Sequence, residues 1–314
     1  MNAMIFDSQR ALAFLIQQAS YIEPQVYARK YPAINYAELV PVDTSAPEWT
    51  PSVTFFSTDM TGKADWFNGN ANDIPRADTV RAKFESTVAM PAIGYGYTIE
   101  ELGQAQLMGM NLTADKAAAA RLASEQFINE VAFTGNTAKG WTGLLNNAAV
   151  PSALVPNDGT GSARTFASKT AEQVLRDVNA ALASVNETTL GIEYADTLLL
   201  PLAIFNSLAT RRIDPTSETT ILQFLRENNV YTAITGQELT IRVNLSLATA
   251  GASGTARMVA YRRAPEVVKM HLPMPFRFLS PATTNNIQFI VPGIFRLGGT
   301  DVRLPSAVVY RDGI

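Results

Sequence analysis

The sequence has no cysteine and only one histidine. The missing thiols exclude disulfides, thiolate metal sites and cysteine nucleophiles, and say little about compartment. A lone imidazole, His271, falls short of a histidine-based metal site, and a hydrolase triad would need it aligned with a nucleophile. Gly251-Ala-Ser253-Gly254 is not the G-x-S-x-G elbow. His271 sits in an expected strand, Lys269 to Leu272, and reads as structural. Charge is scarce as well. Asp, Glu, Lys and Arg make up 17% of the 314 residues, against about 25% in ordinary soluble proteins. The net charge of −3 provides no basic field to hold nucleic acid. Long apolar runs are also missing. Leu198 to Phe205 spans eight residues and contains Pro201, well short of the ~20 of a membrane helix. At the N-terminus the apolar stretch Ala11 to Ile16 is short, and Asp7 stands where a secretory signal carries positive charge. The expectation is a soluble protein made in the cytoplasm, with no membrane segment, no cofactor, no metal and no catalytic residues.

What is present points to a folded chain. The hydrophobic fraction is 47%, with 19 Gly and 17 Pro, and the length allows two packed units. A charge-poor surface suits a protein that covers itself with neighbours. The alternative is a monomer with a polar, uncharged surface.

Residues 1–43 read as an arm: Ser8 caps a short helix with Ala11, Phe14, Leu15 and Ala19 on its apolar face, and Pro24, Pro32 and Pro41 keep the rest extended. Residues 47–92 read as a two-stranded excursion. Val80, Ala82, Phe84, Ser86, Val88 and Met90 alternate with Thr79, Arg81, Lys83, Glu85 and Thr87. The outgoing strand runs from about Pro51 to Met60. Thr61 to Pro75 form a polar tip rich in Gly and Asn, which contains Lys63, Trp66 and Phe67. Aromatics at the tip of an otherwise unsupported hairpin suggest docking on another molecule; a tip folded back on its own domain is the alternative. Residues 92–99 read as a buried strand whose Gly94 and Gly96 admit close backbone approach.

A long helix is expected over 114–133, capped by Thr113 and stopped by Gly135, with Ala117, Ala120, Ser124, Phe127 or Ile128, and Val131 on one stripe. A second runs from Ala171 to Asn186, with a capping box from Thr170 and Gln173 and a stripe of Val174, Val178, Ala181, Leu182 and Val185. Helices at 202–210 and 217–228 and strands at 197–200, 239–245, 257–261, 267–278, 287–291 and 302–310 complete an α+β order.

Little catalytic chemistry is legible. Gly135 to Thr142 looks like a phosphate loop, but Trp141 replaces the required lysine and the segment follows a helix instead of a strand. Asp59, Asp65, Asp73 and Asp78 lack calcium-loop spacing. The pairs Arg211–Arg212 and Arg262–Arg263 read by default as a solvated face or inter-subunit ion pairs, with contact to packaged nucleic acid as the sharper reading.

Lys116 to Gly135, followed by Gly140-Trp-Thr-Gly143-Leu-Leu-Asn146, resembles the spine helix and exit turn of HK97-fold capsid proteins of tailed bacteriophages and of the related encapsulins. Tyr95-Gly-Tyr-Thr-Ile-Glu-Glu101-Leu resembles that fold's strand-to-helix passage. Val291-Pro, Arg296-Leu-Gly-Gly299 and Val302-Arg-Leu-Pro305 resemble its closing strands. The resemblance covers essentially the whole chain. It implies an N-terminal arm at 1–43, an E-loop hairpin at 44–92, a peripheral domain with the spine helix at 93–165, an axial domain at 166–255 and returning peripheral strands at 256–314. By the same resemblance the protein is not an enzyme. It is a major capsid protein that self-assembles into hexamers and pentamers of an icosahedral head enclosing double-stranded DNA without sequence-specific binding. Its copies end up in the virion after synthesis in the host cytoplasm. The short arm implies a separate scaffold or none; portal and decoration proteins are further partners. Trp66, Phe67, Lys63, Arg211 and Arg212 are candidate inter-subunit contacts. In some family members E-loop lysines join asparagines covalently; Lys63 with Asn285 or Asn286 is the available set. An encapsulin-type nanocompartment shell is the alternative, and a soluble α+β enzyme using scattered carboxylates is a third reading.

Overall fold

The computed structural model describes residues 33–66, 76–101, 107, 112–283 and 288–314. Ile34–Ile314 fold as one unit. The arm helix expected around 8–19 lies outside the described residues, as does most of the hairpin tip.

The described chain opens with a helical turn, α1 (Tyr36–Leu39), and a short strand, β1 (Val42–Asp43). It then leaves on a hairpin, β2 (Ser52–Thr61) and β3 (Asp78–Thr87), and returns through β4 (Tyr95–Thr98). Gly94 and Gly96 let that return segment lie against another strand. A Cβ on Gly94 would sit 2.7 Å from the Val291 carbonyl oxygen, and one on Gly96 would sit 3.2 Å from that of Phe289.

The long helix α2 spans Leu112–Thr134, about 35 Å at 1.5 Å per residue. Its buried stripe is Ala120, Ser124, Ile128 and Val131, with Phe127 partly covered, as the 3.6-residue period requires. The helix stops because Gly135 takes a left-handed conformation, φ 72°, which only glycine adopts without strain. A tight turn at Thr137–Lys139 then reverses the chain, with the Asn136 side chain accepting from the Lys139 amide. The reversed chain runs back along the helix end: Leu144 N–H donates to Ala132 O (3.0 Å) and Leu145 N–H to Phe133 O (2.9 Å). Gly143 makes this possible, since a Cβ there would lie 2.2 Å from the Phe133 carbonyl. Asn146 closes the turn, accepting from Gly143 N–H and donating to Thr134 O.

Leu144 and Leu145 enter the main core against a five-stranded sheet. That sheet is built from β5 (Ser152–Leu154), β6 (Thr197–Leu200), β7 (Thr240–Val243), β8 (Arg257–Tyr261) and, at the C-terminus, β15 (Val308–Asp312), in the order β5-β15-β8-β6-β7. Helix α3 (Ala171–Thr188) packs on β8 and β15 through the expected stripe, and both halves of its capping box are formed. Between β6 and β7 lie α4 (Leu202–Thr210), α5 (Ile221–Glu227) and α6 (Val230–Thr235). Arg257 forks onto Asp312 at 2.6 and 2.8 Å and donates to Leu145 O at 2.6 Å. Tyr310 donates to Leu144 O at 2.6 Å. Burial, the largest influence on it, pushes the Tyr310 hydroxyl up to about 12, which keeps it a donor. The remaining strands are β9 (Val268–His271), β10 (Met274–Phe278), β11 (Ala282–Thr283), β12 (Gln288–Val291), β13 (Gly293–Arg296) and β14 (Thr300–Val302). They form three small sheets, β1-β9-β14, β10-β13 and β11-β12-β4.

Several expected elements shift. The described part of α2 already includes Leu112, so Thr113 lies within the helix and not ahead of it. The strand expected at 267–278 is two strands that part at Pro273, and the one at 302–310 is broken by Pro305, which opens a 3-10 turn. The helix expected at 217–228 starts at Ile221 under a Thr220 cap. α6 and β13 were not expected. Asn229 caps α6, and Gly236 ends it at φ 72°.

Gly143→Ala is expected to destabilise the fold by about 3 kcal/mol or more, because backbone atoms would have to move. Gly140→Ala meets no neighbour within 4 Å and should cost only about 1–2 kcal/mol for its left-handed backbone. Denaturant unfolding of the two variants measures the contrast; equal losses would contradict it.

Candidate assembly surfaces

The hairpin is the outstanding surface feature. Its register pairs Ser52 with Thr87 at the root and Thr61 with Asp78 at the far end. Residues paired across the strands share a face. One face therefore carries Val53, Phe55, Phe84, Ala82 and Val80, with Asp59 and Asp78 towards the tip. The other carries Phe56 and Met60 among Arg81, Lys83 and Glu85. This is the alternation read from residues 79–90.

The root is held firmly. Phe55 and Phe84 stack at 5.1 Å and 15°, and the Arg303 guanidinium lies 4.6 Å from the Phe55 ring. Ser86 Oγ donates to Gly298 O (2.8 Å), and the Trp141 indole N–H donates to Thr87 Oγ1 (3.0 Å). Ala89 pairs with Leu297. Glu85 is held below the usual carboxylate range, first by the Ser52 hydroxyl and then by Lys83.

Beyond the root the ribbon is bare. Every described residue of β2 from Phe56 outward, and of β3 as far as Glu85, is exposed. Phe56 is 66% exposed, Met60 82% and Trp66 97%. A lone two-stranded ribbon is marginal in water, and large apolar side chains exposed along both of its faces suit contact with another surface. Trp66 and Lys63 are both exposed on the outgoing side of the tip, so Trp66 is not folded back on its own domain. Phe67, Asn285 and Asn286 lie outside the described residues.

The arginine pairs do not act as pairs. The Arg211 guanidinium donates to the carbonyls of Phe166 and Lys169 in its own chain. Those carbonyls end the loop before α3, so Arg211 ties that loop to α4. Arg212 remains exposed. Arg262 pairs with Glu193, and Arg263 donates to Ala37 O. No group of three His, Cys, Asp or Glu is placed to hold a metal among the described residues, and no described helix is long and apolar enough to cross a membrane. Gly135 to Thr142 is the reversal at the end of α2, where the backbone of Asn136 pairs with that of Trp141.

Leu190 and Ile192 escaped the sequence reading. They flank Gly191 at the end of α3, and Leu190 is 90% exposed at φ 54°. The available signal was two large apolar residues astride a glycine just past a helix C-terminus, where polar residues are usual.

A family described as "Major capsid protein" matches residues 62–314. No curated protein matches the chain. Among solved structures, a chain from the capsid of Myoviridae phage XM1 is 17% identical, covering 95% of this chain and 98% of that one, with a TM-score of 0.81. A chain from Microbacterium phage Oxtober96 is 13% identical, covering 98% of each, at 0.64. A chain from the capsid of the native GTA particle is 11% identical, covering 99% of each, at 0.62. These likenesses are of fold.

Phe55→Ala removes both the ring stack and the seat of Arg303. It should loosen the hairpin by about 1–2 kcal/mol and raise tryptic cleavage at Lys63 and Arg76 several-fold. The main core should hold its denaturant midpoint; a large fall in that midpoint would show that the hairpin belongs to the core.

Proposed function

From the premise that this chain belongs to the major capsid protein family, with an HK97-like fold and the role of a capsid shell subunit, we propose that its copies close into hexamers and pentamers of an icosahedral phage head enclosing double-stranded DNA. The observation that carries this reading is the hairpin: firmly rooted in its own subunit, yet with both faces uncovered along its outer half. A second copy of the chain supplies the missing cover.

On this reading residues 1–43 are an arm beneath a neighbour and 44–92 an E-loop over a neighbour. Residues 93–165 and 256–314 form the peripheral domain, and 166–255 the axial domain around the capsomer axis. Leu190 and Ile192 project from that axial part. Trp66, Phe67, Lys63, Arg211 and Arg212 are the contacts offered to neighbours, Arg211 while also donating to Phe166 O and Lys169 O of its own chain. A net charge of −3 suits a shell that encloses DNA without gripping it. A separate scaffold, a portal and decoration proteins are the remaining partners, and synthesis takes place in the host cytoplasm before assembly into the virion.

Electron microscopy of the purified protein tests the proposal. Closed shells containing double-stranded DNA are expected. Shells holding protein cargo would indicate a nanocompartment, and a small oligomer only would overturn the assembly reading. In the same assay Trp66→Ala should lower shell yield while shifting subunit stability by less than about 0.5 kcal/mol, as for an exposed side chain, and Phe67→Ala added to it should impair assembly more than subunit folding.

A further inference from the structure

The only histidine of the chain lies at the root of the hairpin. His271 is 1% exposed at the end of β9, between β1 and β14. Its Nε2 is 2.9 Å from Asp301 Oδ2, and its Nδ1 faces Asp43 Oδ2 at 3.6 Å with no hydrogen-bond partner. Lys269 donates to that same Asp43 oxygen at 2.9 Å, while the Ser45 amide and hydroxyl donate to the other.

These contacts join both ends of the hairpin. Asp43 stands on the strand that leads into β2. Asp301 follows Leu297-Gly298-Gly299, which receives the returning side: Leu297 pairs with Ala89, and Gly298 O accepts from Ser86. The packing leaves no slack, since a Cβ on Gly298 would meet His271 Cβ at 3.0 Å and Val88 at 3.3 Å.

The chemistry of the ring follows from its partners. A carboxylate can only accept, so Nε2 beside Asp301 carries a proton. In the neutral ring Nδ1 is then a buried lone pair aimed at the Asp43 carboxylate, and the two repel. In the imidazolium both nitrogens donate. The charges agree: Asp43 and Asp301 against Lys269 leave one negative charge, which a cationic ring balances in a poorly solvated site. The other charged groups close by are Glu85 of β3 and Lys139 of the exit turn, which line the same small groove as Asp301, and Arg303 on Phe55. We propose that His271 is a proton-operated latch: doubly protonated, it ties both sides of the hairpin root together; singly protonated, it holds only Asp301.

Histidine is the side chain that ordinarily changes charge between about pH 5 and pH 8. Asp43 stays ionised throughout that window. Burial opposes its charge, but the hydrogen bonds from Ser45 and Lys269 outweigh it and hold the carboxyl well below the usual range. The latch therefore closes as pH falls through the histidine range and opens as pH rises. An open latch loosens the root, where the backbone pairing of β1 and β14 with β9 remains.

Amide hydrogen exchange tests this on the full chain, both unassembled and in shells, so that a failure of the assembly reading does not obscure the result. At about pH 5.5 and about pH 8, on either side of the histidine range, exposure times are scaled for intrinsic exchange. Peptides spanning 41–53, 84–90 and 297–303 should be about tenfold better protected at the lower pH, the effect of one added charge-assisted hydrogen bond. Peptides within 174–185 should not change. His271→Gln keeps a donor for Asp301 but cannot take a second proton, and should abolish the difference. Unchanged protection in the wild-type chain, or the same pH difference in H271Q, overturns the latch. Should H271Q not fold, nitrogen-15 histidine NMR of the wild-type chain gives the ring state from a single residue. Both ring nitrogens protonated at the lower pH and only Nε2 at the higher is the expected pattern; any other overturns the proposal.

Discussion

The backbone of Gly143 lies against the last turn of the long helix, closer than any side chain would permit. Two hydrogen bonds, from Leu144 N–H to Ala132 O and from Leu145 N–H to Phe133 O, hold it there. This contact sets the direction of everything that follows. It drives two leucines into the core and turns their carbonyls towards the central sheet, where Tyr310 and Arg257 donate to them. Arg257 is in turn fixed by Asp312, so the C-terminal strand is registered on the helix end by polar bonds inside an apolar core. A buried arginine without its carboxylate would be strongly unfavourable, and this network cannot slide by one residue without stranding it. The same turn carries Trp141, which packs on Gly299 and donates to Thr87. The hairpin root is thus aligned by the feature that aligns the core.

The parts legible in the sequence are those whose physics is local. The stripe on α3 and its capping box involve residues three or four apart, and both form as read. The alternation at 79–90 is a two-residue period, and the cross-strand register preserves it as far as Thr87, where the strand ends. Gly135 was readable as a stop because a positive φ is a property of a single residue. Breaks were harder to read. Pro273 and Pro305 sit in apolar runs that look continuous, and only the loss of the amide donor divides them. Long-range polar partners left no trace. The acceptors of Arg211 lie 45 and 42 residues away, and main-chain carbonyls have no sequence signature. The neighbours of His271 come from three strands, joined only when β1 and β14 flank β9.

The division between root and ribbon has a physical meaning. At the root, ring stacking, an arginine over an aromatic face and several hydrogen bonds satisfy the strands within one chain. Farther out, the strands keep their mutual hydrogen bonds, and among the described residues both faces stay exposed. Backbone pairing gives such a ribbon a shape without giving it a resting place, because net stabilisation from hydrogen bonds is small and apolar burial supplies most of the rest. Phe56, Met60, Val80 and Trp66 hold that unspent burial. The stabilisation becomes available only when another surface excludes water from them.

This arrangement also accounts for the low charge of the chain. A subunit that lives alone needs charge wherever it meets water. One whose surface is largely contact needs charge only where it marks a register or tunes a joint. The charged groups of the body follow that rule. Asp158, Lys169, Arg176 and Asp177 knit the start of α3; Arg257 and Asp312 register the sheet; Asp43, Lys269, His271 and Asp301 gather where the hairpin departs. The last group differs in kind from the others, for it alone sets an imidazole between two carboxylates. Its position is the junction between the finished core and the unfinished ribbon, where the strand entering the hairpin and the segment beneath the returning strand meet one ring.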